Sequence, residues 1–167
     1  MATEAIGVLD AQVALVSDHS YEDVVTSMMQ RARRRVWVSV FMIDLATPDP
    51  KLRVLGAMHE LAAAQWRGVD VRLLIPAKSN HVVSDWISRG YFSQLLDAGV
   101  KVLRYRDAMV HAKTATIDGT WSTVGTANID RLSLTGNYEI NVEIIDPELA
   151  GSLEEIFRVD ESNSLGS

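Results

Sequence analysis

The stretch that most constrains this chain runs from Val36 to Ile43, an apolar segment broken only by Ser39. It is far too short to cross a bilayer and reads as a buried central strand. The segments around it alternate between helical and strand-like patterns. Ala14–Val16 is a short strand. Ser20 opens a helix with Asp23 as its capping-box partner, and Val24, Val25, Met28, Met29 and Ala32 form the apolar stripe. Arg31, Arg33, Arg34 and Arg35 close that helix, where cations are favourable and read as a solvated face.

Beyond the central strand, Asp49-Pro50 starts a helix that runs to Gly68 with Leu52, Leu55, Met58, Leu61 and Ala62 inward. Val69–Ile75 is the next strand. A turn over 76–80 leads to a helix with apolar pairs at 82/83, 86/87, 91/92 and 95/96, stopped by Gly99, and Val100–Tyr105 follows as a strand. This is βαβαβ at short spacing, the mark of a sheet layered with helices. The pattern then changes. Val110–Asp118 and Trp121–Val124 flank an Asp118-Gly119 turn, a hairpin signal. Tyr138–Ile145 alternates, with Tyr138, Ile140, Val142 and Ile144 on one face and Glu139, Asn141 and Glu143 on the other. Asp146-Pro147 caps a last helix with Leu149, Leu153, Ile156 and Phe157 inward.

At 167 residues, 47% of them apolar, the chain suffices for one domain over residues 1–160, with a polar, frayed tail at 161–167. It has no cysteine, which excludes disulfides, thiolate metal sites, Fe–S clusters and cysteine nucleophiles. Met1–Gly7 lacks the basic-then-apolar pattern of a secretory signal, so the expectation is a soluble, cytoplasmic protein with room for contact at a membrane surface. A net charge of −6 argues against nucleic acid as the main partner, although Arg104, Arg106 and Arg131 form a local basic rim.

The chemistry concentrates in His111-Ala-Lys113, four residues, Asp118, six residues, then Gly125-Thr126-Ala127-Asn128. Period-2 geometry sets His111 and Lys113 side by side on one strand face, and the return strand brings Thr126 and Asn128 back beside them. An imidazole, a fixed cation and amide or hydroxyl donors at one sheet edge are what attack on a phosphodiester requires. Two members admit simpler roles: Asp118 as the hairpin residue before Gly119, and Glu139 as part of a solvated strand face shared with Asn141 and Glu143. His19, His59 and His81 read as surface residues. Trp86, Ile87, Tyr91 and Phe92 read as core.

This arrangement resembles the phospholipase D superfamily, whose signature is His-x-Lys, four residues, Asp, six residues and Gly-Ser-x-Asn, with Thr126 here in place of serine. Tyr91–Val100 and Asn128–Ser133 look most like the bacterial cardiolipin-synthase branch. The resemblance implies an α/β fold, a mixed sheet flanked by helices on both faces, with one repeat per chain. It implies a phosphodiesterase or phosphatidyltransferase in which His111 forms a phosphohistidine. Lys113, Thr126 and Asn128 would hold the phosphate, Glu139 would orient His111, and Asp118 would complete the motif. No metal or organic cofactor is implied, because lysine and amide donors neutralise the phosphate charge. The family uses two motifs, so one copy implies either a homodimer with a shared site or one half of a two-motif protein, acting on a phospholipid or other diester. The alternatives are a single-motif endonuclease cleaving DNA or RNA, and a non-catalytic dimerisation module.

Overall fold

The computed structural model describes residues 11–17, 20–40, 43–44, 54–77, 93–106, 110–130 and 139–166. The expected helix start at Asp49-Pro50, the apolar pairs from 82/83 to 91/92, Arg131 and Tyr138 lie outside these residues.

In chain order the strands are β1 (Gln12–Ser17), β2 (Arg35–Ser39), β3 (Ile43–Asp44), β4 (Asp70–Pro76), β5 (Lys101–Tyr105), β6 (Thr114–Ile117), β7 (Trp121–Gly125), β8 (Ile129–Asp130), β9 (Ile140–Ile145) and β10 (Ser164–Gly166). The long helices are α1 (Ser20–Arg31), α2 (Val54–Trp66) and α3 (Pro147–Ser162), and residues 93–97 add a helical turn. Among the described residues, eight strands form one mixed sheet in the order β1-β9-β7-β6-β2-β4-β5-β10, while β3 and β8 pair separately. β2, β4 and β5 run parallel, as βαβ connections require, and the other neighbours in the eight-stranded sheet are antiparallel; β3 and β8 pair parallel.

α1 and α2 cover one face, burying Val25, Met29 and Leu61 with Val36, Val38, Val71, Leu73, Ala115, Ile117 and Trp121. α3 covers the other, where Phe157 stacks on Trp37 at 5.3 Å between ring centroids and Leu74 and Leu103 complete a second core. This is the expected mixed sheet with helices on both faces. Val36 and Val38 face one core and Trp37 the other, which is why the central strand is continuously apolar.

α3 differs from its sequence reading. Asp146 caps it as expected, accepting from Glu148 N and Leu149 N at 2.7 and 2.8 Å. The buried positions are Ala150, Glu154 and Phe157, and Ile156 is 59% exposed. The stripe sits one residue round because the sheet beneath offers Arg35, whose Nε donates to Glu154 Oε1 at 2.6 Å. The expected frayed tail is also corrected. α3 continues to Ser162, and Ser164–Gly166 add β10 against the open edge of β5, with Leu165 opposite Arg104.

Candidate active site

His111 and Lys113 lie just ahead of β6 rather than within it. The β2 ladder stops at Ser39, opposite Thr114, so the preceding residues leave the sheet at the carboxyl ends of parallel β2 and β4, where α/β sheets form their clefts. One tie persists beyond the ladder: Gly125 N donates to Lys113 O at 3.1 Å. His111 is exposed, whereas Lys113 is only 6% exposed and reaches back so that Nζ donates to His111 O at 3.0 Å. Nζ also lies 3.0 Å from each imidazole nitrogen. An ammonium can only donate, so the ring nitrogen it bonds is the one without a proton.

The return strand ends where only glycine fits. A Cβ on Gly125 would fall inside contact distance of the Asn141 carboxamide and 2.5 Å from Ile140 O. A buried amide and a backbone carbonyl cannot withdraw. Gly125→Ala is therefore expected to cost about 2–3 kcal/mol in urea unfolding; an unchanged midpoint would show that β9 yields.

Past Gly125 the chain leans on β9. Thr126 N donates to Ile140 O at 3.0 Å, Thr126 Oγ1 donates to Glu139 Oε2 at 2.5 Å, and Ile140 N donates to Thr126 Oγ1 at 3.1 Å. Thr126 is thus fixed at both backbone and hydroxyl. Ala127 N points at Asn141 Oδ1 at 3.4 Å. Asn128 follows, half-buried, its Oδ1 without a hydrogen-bond partner among the described residues. The next two residues pair with β3, so the loop is anchored at both ends.

β9 corrects the solvated-face alternative. Glu139 is 7% and Asn141 0% exposed, while Ile140 faces outward. Trp121 Nε1 donates to Glu143 Oε1 at 2.6 Å. Polar residues turn inward here because the chain leaving β7 presents N–H and hydroxyl donors that need acceptors.

Asp118 is not part of this cluster. It sits at the other end of β6, seven residues from His111 and on the order of 20 Å away along an extended strand. Its carboxylate accepts from Arg33 N, Arg34 N and Arg35 N at 2.9, 2.7 and 3.0 Å, and Arg34 Nη2 donates to its carbonyl at 2.5 Å. Asp118 takes φ 56° and Gly119 φ 70°, the left-handed pair of a tight hairpin. Burial pushes the Asp118 pKa up, but the three backbone donors and the Arg34 charge outweigh it and hold the value below the ordinary range. The candidate catalytic carboxylate is a structural fastener between the hairpin and β2.

The structure therefore gathers His111 with Lys113, ties Thr126 to Glu139, sets Asn128 on the same loop, and places Asp118 apart. Asn141 is the residue whose importance the sequence reading missed. The available signal was a polar triplet at period 2 on an otherwise apolar strand.

Residues 25–160 match the family described as "Cardiolipin synthase, PLD-like domain". The chain is 32% identical over 147 residues to cardiolipin synthase 1 of Bacillus cereus, covering 88% of this chain and 27% of that protein. It is 41% identical over 96 residues to cardiolipin synthase A of Pectobacterium atrosepticum, covering 58% and 20%. The chain thus spans about a quarter or less of the length of these relatives. Among solved structures it is similar to Nuc, a phospholipase D family member from Salmonella typhimurium, with TM-score 0.80, 21% identity, and 95% of this chain and 99% of that one covered. It also resembles phosphatidylserine synthase of Haemophilus influenzae, with TM-score 0.71, 11% identity and coverage of 94% and 40%. At these identities the likeness is one of fold.

Proposed function

This chain belongs to the phospholipase-D-like domain family of the cardiolipin synthases, and from that membership we propose that it is a phosphodiesterase or phosphatidyltransferase acting on a phospholipid through a phosphohistidine at His111. The imidazole nitrogen attacks phosphorus. A P–N bond forms as the P–O bond to the leaving alcohol breaks, and the partner subunit's His111 gives that oxygen a proton. The same second imidazole then takes a proton from water or an acceptor alcohol, whose oxygen displaces the phosphoryl group from His111. Lys113 and the Thr126–Asn128 loop hold the equatorial oxygens and their growing charge. Glu139, tied to Thr126, steadies the imidazole. The observation that carries this reading is the buried Lys113 ammonium against His111.

The second copy has a surface to meet. Val13, Leu15, Val124 and Ile140 are exposed on one side of β1, β7 and β9, and Leu15 is 78% exposed. By register they share the face that α3 leaves uncovered, and this apolar field runs up to Thr126 and Glu139. Leu15→Glu is expected to shift sedimentation from dimer to monomer and lower activity per chain at least tenfold. A monomeric wild type would sink the shared site.

The covalent step is tested with ³²P-labelled phosphatidylglycerol vesicles, labelled DNA and RNA, and an aryl phosphodiester, with alkaline quenching and peptide mapping. Label on His111 from the lipid is expected. Label from nucleic acid alone would turn the reading to the endonuclease, and no label from any substrate would overturn it in favour of a non-catalytic module.

A further inference from the structure

Asn141 is a fully buried carboxamide beneath the loop that carries Thr126 and Asn128. In register it lies between Val16 of β1 and Gly125 of β7. Its Oδ1 faces Ala127 N at 3.4 Å, and its bulk fills the space that a side chain at 125 would need. Its Nδ2 is buried without a hydrogen-bond partner among the described residues, as is Asn128 Oδ1 on the loop above. A buried amide with half its capacity unused is a poor stabiliser, because the unmade bonds retain their desolvation cost.

We propose that Asn141 is a positioning residue: it accepts from Ala127 N–H and so sets the pose in which the next residue, Asn128, meets the phosphate. The proposal rests on the catalytic reading above. The loop is pinned on one side by Thr126 on β9 and on the other by β8 on β3, leaving Ala127–Asn128 as the segment between two fixed points. The peptide N–H of Ala127 is the handle available there. With that handle released, the Asn128 carboxamide no longer arrives pre-set, and an oxyanion donor loses its value steeply with misplacement.

The test is Asn141→Leu, which keeps the branched shape and removes the acceptor, beside Asn141→Ser, which keeps a smaller polar side chain. Both are measured for kcat and KM on phosphatidylglycerol vesicles, for thermal midpoint, and for amide exchange at Ala127. Asn141→Leu is expected to lower the thermal midpoint by a few degrees, because it leaves the buried Ala127 N–H without its acceptor, to lose about 30- to 100-fold in kcat per folded molecule with KM within twofold, and to exchange the Ala127 amide faster. Asn141→Ser is expected to recover part of the rate and part of the amide protection. It serves as the test should the leucine variant fail to fold. A folded variant of either kind with wild-type kcat overturns the proposal, as does a rate loss matched wholly by loss of folded protein. His111→Ala measured alongside separates the two readings: wild-type turnover that survives it refutes the catalytic reading itself, whereas turnover that requires His111 but ignores Asn141 refutes only the positioning role.

Discussion

Replacing His111 with alanine is expected to lower phosphodiester turnover by at least ~10³-fold while leaving the unfolding midpoint within a degree or two. The two halves of that expectation have separate causes. The side chain is exposed, so its removal opens no core. It is also the nucleophile in the proposed route, and among the described residues nothing else at the site replaces it: a lysine that donates to a carbonyl and an imidazole has its ammonium engaged, and the threonine hydroxyl is held by Glu139. Lys113→Met should fall nearly as far, since it keeps the buried stem and deletes the charge. Lys113→Arg should not restore it, because a planar guanidinium cannot occupy the point that Nζ holds between the imidazole and the His111 carbonyl. Steady-state rates on lipid vesicles decide the matter, and an alanine variant within tenfold of wild type would end the claim.

The second large effect concerns stability and lies at the other end of the strand. Asp118→Asn is expected to cost about 2 kcal/mol at pH 7, since three N–H donors then face an amide rather than a carboxylate. Asparagine tolerates the left-handed backbone, so the change isolates the charge. The pH dependence follows in sign. The folded carboxyl titrates below its unfolded value near 4, so its contribution is complete above about pH 4 and is lost as pH falls through the lower, folded value. Asp70 behaves likewise. Its burial raises the pKa, but bonds from Arg72, Lys101 and Trp37 more than reverse that. Urea unfolding of wild type and variant between pH 7 and pH 2 should show two curves that converge at the acid end. Parallel curves would mean that the carboxylate is not what the three amides hold. Turnover per folded molecule should be unchanged, which separates Asp118 from His111.

Much of this was legible in the chain. Helical periodicity over α1, the apolar run of β2 and the Asp118-Gly119 turn follow from local rules, and the motif spacing brought His111 and Lys113 together. Three features were not local. Period 2 divides β9 into two faces without saying which is inside. The usual rule, polar residues outward, loses to the donors that the chain leaving β7 presents. α3 offers neighbouring stripes a single residue apart, and the choice falls to Arg35, 119 positions earlier. β10 carries no pattern; it pairs because β5 would otherwise leave an open edge.

The pairing of β1 with β9 has a consequence for how the chain is made. Ser17 must wait for Ile140, 123 positions later, before its ladder can close. At ribosomal speeds that is a delay of roughly ten seconds. Throughout it, a strand carrying Val13 and Leu15 is out without its neighbour, and β2, β4 and β5 emerge one after another in the meantime. The first of the described strands to be made is thus among the last to be seated, and during synthesis its apolar side chains are exposed for the length of that delay.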